Sequence, residues 1–183
     1  MALPKIAAIG SPGKLRLRHA AVRKQPGTRV GFAPKDEDPA LTEAMAIMGS
    51  TDRSYVKSLL TMQEKKLPYA TLPELVAYKW LQSQRAEFIF QAEAFGGRKQ
   101  SGGQVPDFVI AQGGAGLVWR IQGEYWHTTI GIRSGDLVDK IRLIGQTIQG
   151  LRIETVVDLW ENDLYHRMPQ VAILAMAGIG LRG

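Results

Sequence analysis

The chain has no cysteine among its 183 residues. That excludes disulfides, zinc–thiolate sites and thiol nucleophiles, and is compatible with an intracellular setting. It also lacks a long apolar run. The longest, Val171 to Gly178, falls far short of the roughly 20 residues a membrane-spanning helix needs, so no membrane partner is expected. No secretory leader is expected either, because Ile6 to Ile9 is too short an apolar stretch and is followed by a basic, Pro/Gly-spaced one. A third absence is local: residues 1–35 contain no acid, while they carry Lys5, Lys14, Arg16, Arg18, Arg23, Lys24, Arg29 and Lys35. The other 148 residues hold 15 basic and 17 acidic side chains, so the formal charge of +6 belongs to this arm and not to the rest of the chain.

What is present suits one globular domain with an appendage, since 45% hydrophobic and 22% charged residues at this length can bury a single sizeable core. The arm, residues 1–40, is punctuated by Pro4, Pro12, Pro26 and Pro34 and has no sustained period, which predicts an extended segment. Two readings of it stand. Its Lys/Arg side chains, among them Arg16, Arg18, Arg23 and Lys24, can contact nucleic-acid phosphates or tether the chain into a larger assembly. Alternatively it is a solvated tail that aids solubility.

Residues 41–68 read as a helical extension. Leu41 to Met48 is a short helix closed by Gly49, and a second starts near Ser50 or Thr51 with Val56, Leu59 and Leu60 on one face. Thr71-Leu72-Pro73-Glu74 is a capping box that opens a helix to about Gln84. The period then changes. Phe88 to Glu93, Val105 to Ile110 and Leu117 to Gln122 are strand-like, separated by a basic loop with Arg98 and Lys99 and by Gly113-Gly114-Ala115-Gly116, which predicts an antiparallel meander. Ser134 opens a helix with Leu137, Ile141, Ile144 and Ile148 at helical spacing, ended by Gly150, and Ile153 to Leu159 is a β-branched strand that returns to the same sheet. The expected architecture is α/β, a mixed four-stranded sheet flanked by helices over residues 69–167. The apolar segment 168–183 is either a packed terminal helix or a partner-facing one.

Chemistry concentrates between Val105 and His127. Pro106 removes one ladder hydrogen bond and places Asp107 near a sheet edge or bulge. A carboxylate flanked by Val105, Phe108, Val109 and Ile110 is costly without a partner; a metal ion, Arg120 or Lys140 would serve. Gly123-Glu124-Tyr125-Trp126-His127 follows the next strand. A lone histidine is more often structural than catalytic, so His127 gains weight only from its neighbours.

These pieces resemble the PD-(D/E)XK nuclease superfamily, most closely the branch of the very short patch repair endonucleases. The residues that carry the resemblance are Pro106-Asp107-Phe108-Val109, then Gln122 to His127, then Asp136 to Lys140, then Val156-Val157-Asp158-Leu159-Trp160-Glu161, with Glu74 in the place of the acid before the meander. The resemblance covers residues 70 to 165 and implies a restriction-endonuclease-like fold that hydrolyses DNA with Mg2+ or Mn2+. It makes Asp107 the main metal ligand, with Glu74 assisting through water, the Ile121 carbonyl and Gln122 completing the set, His127 as general base and Lys140 approaching the phosphate. The chain departs from the usual Glu-x-Lys strand, having Arg120 where the acid is expected; Gln122 offers an amide oxygen without charge.

Three functions follow as expectations: a DNA endonuclease or nickase, cytoplasmic or virion-associated, whose arm and Arg98-Lys99 track the backbone; an inactive nuclease-fold protein that binds nucleic acid or forms part of a phage particle or other large assembly; or a domain in which Trp119, Tyr125, Trp126 and Trp160 are simply core.

Overall fold

The computed structural model describes residues 38–95, 97, 103–123 and 130–181, with backbone alone for 130–136. Arg16, Arg18, Arg23, Lys24, Arg98, Lys99 and His127 lie outside the described residues, as do the side chains of Ser134 and Asp136. Within residues 36–183, which form one compact unit, a five-stranded mixed sheet is flanked by helices.

Local chemistry sets the helix ends. Asp38 accepts the Ala40 N–H to start α1 (Pro39–Met48), which Gly49 closes at φ +59°, a left-handed turn glycine adopts without steric cost. Asp52 accepts the Tyr55 N–H at 2.9 Å to start α2 (Arg53–Lys65). The capping box forms at α3 (Leu72–Ser83), where Glu74 Oε2 accepts both the Thr71 N–H and its hydroxyl. The meander follows as β1 (Phe88–Phe90), β2 (Phe108–Gln112) and β3 (Ala115–Gln122), with Phe108 opposite both Phe90 and Trp119. Helix α4 (Ile130–Leu143) crosses over to β5 (Leu151–Trp160), which runs parallel to β3; α5 (Glu161–His166) and α6 (Gln170–Met176) complete the chain.

Several expected boundaries move. The helix expected from Ser134 to Gly150 begins at Ile130 and stops at Leu143. Gly145, at φ +84°, turns the chain, and its N–H donates to the Ile153 carbonyl at 2.7 Å. Ile148 therefore belongs to β4 (Thr147–Ile148), which pairs antiparallel with β5 and makes the sheet five-stranded rather than four-stranded, in the order β1-β2-β3-β5-β4. Gly150 does not end a helix. With Gln149 it forms the two-residue hairpin turn, both at positive φ, the backbone that matches strand twist. Nor is Asp107 at a sheet edge: β2 lies between β1 and β3, and Asp107 immediately precedes it.

Both faces of the sheet are covered, which explains why Phe108-Val109-Ile110 is apolar without alternation. Phe108, Ile110, Leu117, Trp119, Val157 and Leu159 join Leu75 and Leu81 of α3, with Leu41, Val56 and Leu59 of α1 and α2 in the same buried cluster. Val109, Val118, Ile153 and Val156 meet Leu143 and Ile148 on the other face. The C-terminal segment takes the packed alternative, burying Val171, Ala172 and Ala175. Among the described residues no helix is long and apolar enough to cross a membrane.

Phe108 is fully buried and its ring lies 5.1 Å from Phe90, 5.8 Å from Phe88 and 6.5 Å from Trp119. Phe108→Ala should cost about 3–5 kcal/mol by cavity formation, read from urea unfolding; a loss below about 1 kcal/mol would contradict this packing.

Candidate active site

Asp107 is placed by the register of two strands. Its carbonyl accepts the Gln91 N–H at 2.8 Å, which fixes the backbone against β1. Its carboxylate Oδ2 accepts the Ile121 N–H from β3 at 2.6 Å. The β2–β3 pairing of Phe108 with Trp119, continued outward, sets Asp107 against Arg120 and Pro106 against Ile121. Proline has no N–H to give the Ile121 carbonyl, so the ladder ends here and the Asp107 carboxylate takes over the next donor.

Glu74 reaches the same point from the first turn of α3. The residue is 7% exposed, held by the Thr71 cap, and close enough to Asp107 to act on its carboxyl. Burial pushes the Asp107 carboxyl up, the Ile121 N–H opposes that, and the charge and hydrogen bond of Glu74 add to the rise, bringing it to about 7.

A second polar group occupies the α4 side of the sheet. The parallel register sets Arg120 beside Asp158 and Gln122 beside Trp160. Asp158 Oδ1 accepts Arg120 Nε at 2.7 Å and Gln122 Nε2 at 3.1 Å, and Oδ2 accepts Lys140 Nζ at 3.1 Å. Although burial pushes the Asp158 carboxyl up, Arg120 above all, with Gln122 and Lys140, holds it below the usual carboxylate range. Arg120 and Lys140, named from sequence as ion partners for Asp107, thus pair with Asp158 instead. Arg120 still lowers the Asp107 carboxyl by its charge.

The structure therefore brings together Glu74, Asp107 and Ile121 in one group and Gln122 and Lys140 in the other, joined by β3. Asp158, the hub of the second group, carried no role in the sequence reading. Its only signal was an arginine on one strand where an acid was expected and an aspartate on a later one. Parallel register, which no sequence motif reports, makes them neighbours.

Among the described residues no cluster of three or more His, Asp or Glu side chains is set to hold a metal ion. Glu74 and Asp107 are a two-carboxylate donor set, and hard oxygen donors of this kind fit Mg2+ or Mn2+. Comparison of the chain with protein families, with characterised proteins and with solved structures finds no match.

The raised Asp107 carboxyl has a definite pH signature. Its folded value of about 7 exceeds the unfolded 3.8, so the folded state binds more protons between these values, and the stability it contributes is lost as pH rises through about 7. Urea unfolding of the wild type should weaken from about pH 5 to about pH 8 more steeply than that of Asp107→Asn. Parallel pH profiles would show that the Asp107 carboxyl is not raised.

Proposed function

We propose that the domain is a Mg2+- or Mn2+-dependent DNA endonuclease or nickase with a restriction-endonuclease-like fold. The observation that carries this reading is the Glu74–Asp107 pair: two carboxyls, one from the helix before the meander and one following Pro106, meet at the end of β3. The order of helix, antiparallel meander, crossover helix and parallel strand agrees with the resemblance drawn from sequence. Asp107 is the main metal-holding side chain, Glu74 assists through water, and the Ile121 carbonyl and the Gln122 amide oxygen lie on the adjoining strand. A divalent ion bound there would supply charge to polarise a phosphoryl oxygen.

The protein's own groups have separable tasks. Asp107 would hold the ion as its carboxylate, with Glu74 beside it, the Ile121 N–H keeps Asp107 oriented, and His127 acts as the general base, a role histidine side chains suit near neutral pH. Lys140 faces the phosphate, while Arg16, Arg18, Arg23, Lys24, Arg98 and Lys99 track the DNA backbone. The setting is cytoplasmic or virion-associated.

A second reading has its own observation. Gln122 and Lys140 both bond to Asp158, so two side chains assigned to the chemistry are already engaged, as suits an inactive nuclease fold that binds nucleic acid or builds a phage particle or other large assembly through its arm.

With Mg2+ or Mn2+ the protein should nick supercoiled plasmid; Asp107→Ala should reduce this to background and Gln122→Ala by about tenfold. No cleavage of supercoiled, mismatched, branched or single-stranded DNA by the wild type would sink the catalytic reading. Loss of assembly on deleting residues 1–35, with Asp107→Ala harmless, would select the second.

A further inference from the structure

Strand β1 ends the sheet, and among the described residues no strand pairs with its outer side. The hydrogen bonds around it show which backbone groups face that way. The Ala111 N–H donates to the Glu87 carbonyl at 2.9 Å and the Gln91 N–H to the Asp107 carbonyl at 2.8 Å. Residues 87, 89 and 91 therefore face β2, and by antiparallel alternation the N–H and C=O groups of Phe88 and Phe90 point outward. Edge strands that avoid association carry charge or proline; Phe88-Ile89-Phe90 carries neither and is half-buried throughout. Beside it lies an open groove of about 500 Å3, lined by Tyr78, Gln82, Arg85, Glu87, Phe88 and Phe90 among others. Tyr78 meets the Phe88 and Phe90 rings edge-on at 5.0 and 5.6 Å, which makes one wall of the groove aromatic.

We propose that this edge is the docking surface for a second copy of the chain, with β1 pairing antiparallel to the partner's β1 about a two-fold axis at Ile89. Arg85 and Gln91, at φ +55° and +51°, end the extended backbone on either side. One register then pairs both outward residues, setting Phe88 opposite the partner's Phe90 and Ile89 opposite the partner's Ile89. Each Phe88–Phe90 pair exchanges both ladder hydrogen bonds, and two five-stranded sheets become one. A two-fold axis normal to the sheet keeps like faces together, so Phe88 and Phe90 of both copies share the α3 side, where cross-strand aromatic pairs are favourable. Charge agrees with this occupant. Counted outward from the axis, Glu87 stands opposite the partner's Gln91, and Arg85 comes alongside the partner's Glu93, both of them exposed. No position of the pairing sets like charges directly opposite each other.

Sedimentation velocity of the full chain over a concentration series should show monomer and dimer with a dissociation constant on the order of 10 µM, the weak range that suits so short a pairing. Residue 89 faces itself in this register, so its charge is diagnostic. Ile89→Lys and Ile89→Glu each set like charges opposite one another, and each should weaken self-association by about tenfold or more. Mixed together, the two variants should pair with each other more tightly than either pairs with itself. Hydrogen exchange reads the same pairing in the wild type. The Phe88 and Phe90 amides should exchange several-fold more slowly above the dissociation constant than below it, while the Ile89 amide, held by β2, stays protected at every concentration.

A wild type that remains monomeric to about 200 µM overturns the proposal, leaving the edge to an extended segment of another protein or to none. A dimer that both Ile89 variants leave intact overturns it as well, because that dimer uses another face. Should the variants fail to fold, as read by urea unfolding, wild-type exchange decides: Phe88 and Phe90 amides that ignore concentration refute the pairing, and amides that slow with it support the pairing.

Discussion

Two strands can lie parallel and adjacent only if the chain between them travels back along the sheet, and here α4 makes that return between β3 and β5. Most of the interior depends on this pairing. It sets Trp119 beside Val157 and Ile121 beside Leu159 on one face, and Arg120 beside Asp158 on the other. A register slip of one residue would exchange the two faces, sending Arg120 into the cluster around Phe108 and Trp119 to the polar side. Apolar packing and the ion cluster therefore specify the same alignment.

The two carboxylate groups on either side of β3 meet the cost of burial in opposite ways. Asp158 is satisfied by cations and stays ionised. Asp107 has one backbone donor and a second carboxyl beside it, so it holds a proton near neutrality. Only the second arrangement leaves a demand that an added cation can meet.

Much of the fold is legible in the sequence because its signals are local. Thr71-Leu72-Pro73-Glu74 announces α3, Gly49 ends α1, and the Gly113-Gly114 turn announces the β2–β3 hairpin. The β4–β5 hairpin was missed because Ile148 continues the helical spacing of Leu137, Ile141 and Ile144, and only Gly145 with Gln149-Gly150 shows that the chain has already turned. At the site, Asp107 stands out through Pro106 and its apolar flanks, a short-range feature, whereas the capping box explains Glu74 structurally and only the resemblance gives it a place in the site. Asp158 does not stand out, because its importance depends on a partner 38 residues away across a parallel ladder.

Helix α4 shows how far a polar cluster can reorganise a pattern. Leu137, Val138, Ile141 and Ile144 are all exposed, while Leu143 is buried and Lys140 reaches the sheet. Apolar spacing of this kind ordinarily marks the face turned to the core. The sheet beneath α4, however, offers Asp158, which Arg120 and Gln122 already meet from β3 and which Lys140 reaches from α4 at 3.1 Å. Asp139 adds a second polar tie by accepting Gln104 Nε2 at 2.7 Å. The face of α4 that carries these ties is polar, and the amphipathic pattern of the helix alone points the wrong way.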